Sequence, residues 1–113
     1  MSESNHTWYK IAESISDLHF NQNGLTEIEV VDKKICLALN ANQLFACTQK
    51  CPHAGGILSE GYLDAHGHIV CPVHRYKFDP VNGHNVSGEG YFLKTFPVQI
   101  RPEGVFIGLM PVF

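Results

Sequence analysis

The stretch CPHAGGILSEGYLDAHGHIVCPVHRYKF, from Cys51 to Phe78, holds two short loops of similar design. Cys51-Pro52-His53 and Cys71-Pro72-Val73-His74 each offer one thiolate, one imidazole and a proline that stiffens the backbone, with seventeen residues between His53 and Cys71. A metal site needs deprotonated soft ligands held at fixed separation, and two such loops facing each other supply four. Gly55-Gly56 follow the first loop, where a backbone without Cβ atoms can approach a bulky group.

Three metal chemistries compete for two cysteines and two histidines. Structural zinc accepts this set tetrahedrally, but zinc fingers usually pair like with like and carry the histidines on a helix. A four-thiolate cluster would recruit Cys36 or Cys47; the Cys47 to Cys51 spacing does not fit the plant-type run, and both histidines would go unused. A [2Fe–2S] cluster with two cysteines on one iron and two histidines on the other accounts for one ligand of each kind per loop.

Outside the stretch the chain reads as strands. Trp8 to Ala12, Glu27 to Val31, Ile35 to Leu39 and Leu44 to Thr48 form a meander, turned at Asp32-Lys33 and Asn40-Ala41-Asn42 after an irregular Ser14–Gly24. Residues 1–7 read as irregular. Gly61–Asp64 and His68–Cys71 make a hairpin, Tyr76–Asp79 is a further strand before Asn82-Gly83, and Asn85–Gly90 is a loop with two glycines. Tyr91–Ile100 and Val105–Leu109 close the chain around Arg101-Pro102-Glu103-Gly104. The expected fold is all-β, a sandwich or barrel of short antiparallel strands, one domain over residues 1–113 with a ligand-bearing lobe at about 50–79.

Composition narrows the function. At 113 residues, 44% of them hydrophobic, the chain is long enough for a packed core. A net charge of −3 argues against nucleic acid, no apolar run is long enough for a membrane helix, and MSESNHTWYK lacks a signal-peptide pattern, so a cytoplasmic protein is expected.

The loops resemble the C-x-H…C-x-x-H motif of Rieske iron–sulfur proteins, especially small Rieske-type ferredoxins. The likeness extends to Gly55, Leu58, Ser59-Glu60-Gly61 and Phe78-Asp79, and more weakly through the last strands. It implies one [2Fe–2S] cluster, with Cys51 and Cys71 on the buried iron and His53 and His74 on the outer one. It further implies a one-electron carrier rather than an enzyme, shuttling between a flavin-dependent ferredoxin reductase and a terminal, ring-hydroxylating oxygenase. Two alternatives stand beside it: the small subunit of an assimilatory nitrite reductase, whose partner is the large subunit, and a zinc-stabilised interaction module. With both irons fully ligated no position is open for substrate, and the chain carries no nicotinamide or flavin fingerprint.

Departures from the family pattern carry expectations of their own. Arg75 stands where many members have glycine, a positive side chain that fits an acidic partner. Tyr76 replaces a serine and Phe78 a tyrosine, and neither loop carries the extra cysteine of high-potential members. Fewer hydrogen bonds to sulfur stabilise the more negative, reduced state less, which predicts a potential on the order of −150 mV. Cys36 and Cys47 face each other if Ala41-Asn42 is a two-residue turn, and in a reducing cytoplasm they are expected to be small buried thiols rather than a disulfide. His6, His19, His66, His68 and His84 lack a matched partner set. Glu60 and Asp79 read as surface and turn residues, and Lys50, Arg75 and Lys77 as a solvated rim.

Overall fold

The computed structural model describes residues 6–53 and 55–110. Its strands are β1 (Thr7–Ala12), β2 (Leu25–Val30), β3 (Lys33–Asn40), β4 (Gln43–Thr48), β5 (Tyr62–Leu63), β6 (Ile69–Val70), β7 (Lys77–Phe78), β8 (Thr95–Phe96), β9 (Val98–Arg101) and β10 (Gly104–Leu109). The helical segments among the described residues are single 3-10 turns at Ile15–Asp17 and Leu58–Glu60. Among the described residues all strand pairing is antiparallel, in three sheets: β1-β10-β9, β2-β3-β4-β8 and β5-β6-β7.

The layering follows from β3. Its Ile35-Cys36-Leu37-Ala38 is buried at every position, the pattern of a strand covered on both faces. Successive side chains point to opposite faces, so Ile35 and Leu37 join a core with Leu44, Ala46, Val105 and Ile107, between the four-stranded sheet and the sheet of β1, β9 and β10. Cys36 and Ala38 face the other way, into a second core with Cys47, Leu58, Ile69, Phe78 and Leu93. The central sheet is therefore the middle layer, and the lobe of residues 51–78 is packed on its far face.

Turns set the registers, and one of them corrects the sequence reading. The β2–β3 turn is Val31-Asp32 rather than Asp32-Lys33, because Val30 pairs with Lys33. Val31 and Asp32 adopt φ of 51° and 64°, the left-handed geometry that a two-residue hairpin requires and a β-branched residue resists. Valine masked that turn. Ala41 and Asn42 also take positive φ, 53° and 67°, and close β3 onto β4 so that Cys36 lies opposite Cys47. Both thiols are free and buried. Hydrogen bonding to Cys36 and then burial push the Cys47 thiol well above its ordinary pKa, so it stays neutral.

Tyr91–Ile100 is not one strand. Pro97 lacks an N–H and separates β8, which pairs with β4, from β9, which pairs with β10. At the chain's start, Thr7 opens β1 opposite Leu109, although residues 1–7 read as irregular; residues 1–5 lie outside the described range.

Two features fasten the lobe to the central sheet. Gln49 is 2% exposed; its Nε2 donates to Ser59 Oγ at 2.7 Å and to Glu27 Oε1 at 3.0 Å, and its Oε1 accepts from the Ser59 N–H at 2.9 Å. Asn23 Nδ2 reaches Gly61 O at 3.2 Å. Leu58 is buried beneath this network, which gives the run Leu58-Ser59-Glu60-Gly61 a structural purpose. In the β5–β6 hairpin, Asp64 Oδ1 accepts from the N–H groups of His66 and His68. Burial disfavours the Asp64 carboxylate, but these donors, the His68 ring and Lys77 outweigh it and hold the pKa below the usual range.

Candidate metal centre

The two loops close in the same way. In the first, the Cys51 N–H donates to Gly56 O at 2.7 Å and the Gly55 N–H to Cys51 O at 3.0 Å. In the second, the Cys71 N–H donates to Tyr76 O at 2.9 Å and the Arg75 N–H to Cys71 O at 2.9 Å. Each cysteine is thus tied to the residues four and five positions on, and the fourth takes positive φ in both loops: 71° at Gly55 and 63° at Arg75. The two glycines of the first loop therefore do different work. A Cβ on Gly55 would meet nothing, so glycine serves the turn there. On Gly56 it would sit 2.5 Å from Val73 Cγ2 and 2.9 Å from Cys71 Sγ, so the close approach is to the facing loop.

The same symmetry explains Arg75. A non-glycine residue in left-handed backbone costs roughly 1 kcal/mol or more, and the side chain is exposed. Arg75→Gly is expected to raise stability by roughly 1 kcal/mol, offset in part by a more flexible unfolded chain. Denaturant unfolding checks it; a lower midpoint would mean that the arginine makes a compensating contact.

All four expected ligands lie on these loops. Cys51 and Cys71 are 3% and 0% exposed and belong to the lobe core. His74 is exposed and His53 half-buried. Their Nδ1 atoms face each other at 3.3 Å, and their ring centroids are 4.8 Å apart. A tetrahedral metal with metal–nitrogen bonds of about 2.0–2.1 Å places two nitrogens about 3.3–3.4 Å apart. Buried sulfurs behind and paired imidazole nitrogens in front fit the donor set of a mixed-ligand [2Fe–2S] cluster. Among the described residues, no three His, Cys, Asp or Glu side chains form a group suited to a single metal ion.

Aromatic rings surround the histidine pair. Tyr76 lies 4.2 Å from the His53 centroid and Tyr91 5.2 Å, while the two tyrosines are 5.8 Å apart. Burial, then Glu89, Tyr91 and Cys51, raise the Tyr76 pKa, so the hydroxyl stays protonated. Tyr91 was not singled out from the sequence. It comes from the loop after β7, where Asn85 Nδ2 donates to Lys77 O at 3.1 Å and to Glu89 Oε1 at 2.9 Å, and the Lys77 N–H donates to Ser87 Oγ at 2.9 Å. The Ser87 hydroxyl bond leads the causes that hold the Glu89 carboxyl below the usual range, with the Asn85 bond and His53 adding to it. The two glycines marked this segment as a loop; nothing in its spacing tied it to the ligands.

The remaining candidates are not brought to the centre. His66 and His68 sit in the β5–β6 turn, His84 packs on Phe92 and His6 on Trp8. Among the described residues, no helix is long and apolar enough to cross a membrane.

An all-β chain with paired Cys-and-His loops over a buried thiol floor defines a small metal-cluster protein. The Rieske [2Fe-2S] domain family matches residues 7–97. The ferredoxin component of the naphthalene 1,2-dioxygenase system of Pseudomonas putida is 30% identical over 83 residues, 73% of this chain and 79% of that protein. Among solved structures, the complex of reduced oxygenase and oxidized ferredoxin in carbazole 1,9a-dioxygenase aligns with TM-score 0.73 and 28% identity, over 88% of this chain and 91% of the matched one. A putative NADH-dependent nitrite reductase small subunit from Mycobacterium tuberculosis shares the fold, with TM-score 0.78 at 18% identity over 95% and 98% of the two chains. The chain belongs to the Rieske [2Fe-2S] domain family, and its cofactor is a Rieske-type [2Fe–2S] cluster.

Proposed function

We propose that the chain works as one Rieske unit, a one-electron carrier, in which Cys51 and Cys71 hold the inner iron and His53 and His74 the outer one. It receives electrons from a flavin-dependent reductase and delivers them to a terminal, ring-hydroxylating oxygenase. The observation that carries this reading is the pair of equivalent loops, with buried cysteines on one side and two Nδ1 atoms 3.3 Å apart on the other. The named relatives, ferredoxin components of dioxygenase systems, support the class of partner. The likeness to a nitrite reductase small subunit is one of fold and does not favour that role.

When bound, a [2Fe–2S] cluster takes up and returns one electron. The protein holds the ligands before binding, keeps water from the two cysteines and leaves His74 at the surface. Tyr76 offers its ring to His53, 4.2 Å between centroids.

Electron paramagnetic resonance of the anaerobically purified, dithionite-reduced protein tests the reading. A rhombic signal of low average g is expected, with a midpoint on the order of −150 mV in redox titration. A silent spectrum on protein with iron near zero would overturn the carrier role, and a clearly positive midpoint would overturn the potential. Stable co-purification with a sirohaem enzyme would redirect the partner assignment.

A further inference from the structure

The two histidines are not equivalent. Tyr76 and Tyr91 lie 4.2 and 5.2 Å from the His53 ring, whereas His74 has Tyr76 at 6.0 Å and is exposed. The cover on His53 is built in. Asn85 and Ser87 tie the loop that carries Tyr91 to the backbone of Lys77 in β7, and Glu89 accepts from Asn85 within that loop. Among the described residues, the rings near His74 are those of His53 at 4.8 Å and Tyr76 at 6.0 Å. The sequence neighbours of His74, Pro72, Val73 and Arg75, are exposed, Val73 at 48%.

With the proposed ligand assignment as its premise, we propose that the electron leaves through the His74 ring and that Tyr91 is a positioning residue that closes the His53 route. Electron tunnelling weakens steeply with distance, so an acceptor couples best to the ligand ring it can touch. Tyr91 keeps an acceptor off one ring and directs it to the other. Arg75, exposed and next to His74 in the chain, then favours an acceptor with a carboxylate at its docking face, because opposite charges fix orientation and speed encounter. The step moves one electron to a one-electron acceptor and neither forms nor breaks a bond.

Chemical footprinting tests this independently of turnover. The oxidised holoprotein is treated with diethylpyrocarbonate, and histidine modification is read by peptide mass spectrometry. Two aromatic contacts of ordinary strength make modification of His53 about tenfold slower than that of His74. Tyr91→Ala is expected to bring the two rates together, and Tyr91→Phe, which keeps the ring, to restore the difference. In the second arm, dithionite-reduced protein is oxidised by ferricyanide, one electron passing to each ferricyanide; the rate is expected to fall in step with modification of His74 and to be indifferent to His66 and His68. Equal modification of His53 and His74 in the wild-type protein, or full-rate oxidation after complete modification of His74, would overturn the inference while leaving a cluster-bearing carrier intact. Protein without the rhombic signal removes the carrier reading and this inference together.

Discussion

Cys71→Ala is expected to abolish the rhombic signal and the bound iron, whereas Cys36→Ala and Cys47→Ala keep both. The contrast follows from placement. Cys71 opens the second ligand loop and is fully buried, with its Sγ facing Gly56 of the first loop. An alanine there removes a soft anionic donor from an apolar wall that offers no substitute. Cys36 and Cys47 lie opposite each other on β3 and β4 and fill the lobe core as neutral thiols. Their removal costs packing, about 1 kcal/mol each, and no ligand. Because ligand binding and folding are coupled, Cys71→Ala is also expected to melt like wild-type protein stripped of iron. Iron and acid-labile sulfide assays with thermal unfolding check all three variants. Loss of the cluster in Cys47→Ala would instead favour an all-thiolate site and remove the histidines from it.

Gly61→Ala is expected to lower stability by about 3 kcal/mol, near the upper end for overpacking, and the melting temperature by roughly 10–20 °C. A Cβ on Gly61 would lie 1.9 Å from the carbonyl oxygen of Val70. That oxygen belongs to the β5–β6 ladder, where Val70 pairs with Tyr62, and it cannot yield without separating the strands that carry Cys71. Gly88→Ala is the control: φ is 92° and a Cβ would meet nothing within 4 Å, so only backbone strain remains, about 1 kcal/mol. If both variants melt together, the close approach at Gly61 is not what holds the lobe. If Gly61→Ala folds but does not retain iron, strand separation has reached the ligand loop without unfolding the β layers.

Those two glycines also mark how far the sequence carries. The proposed ligands are legible because metal chemistry restricts both residue type and spacing, and Cys51, His53, Cys71 and His74 satisfy both at once. The meander is legible because period-two alternation and turn residues are local properties, and Ala41-Asn42 set the register that brings Cys36 opposite Cys47. Val31 is the exception: its β-branched side chain reads as strand, and the turn it occupies is imposed by pairing on either side.

Whatever depends on residues distant in the chain waited for the tertiary structure. Gly56 and Gly61 are alike in the sequence, yet one makes room for Val73 and the other for the Val70 backbone. Arg75 reads as a surface charge until the second loop closes like the first and places it at φ 63°. Tyr91 lies far along the chain from both ligand loops and reaches His53 only because the loop after β7 folds back, tied down by Asn85 and Ser87. The sequence by itself determined the cofactor and the all-β class and put forward the four candidate ligands, since each is written in local pattern. Only the folded chain decided which histidine stays open to a partner, because side-chain exposure is a property of what packs against it.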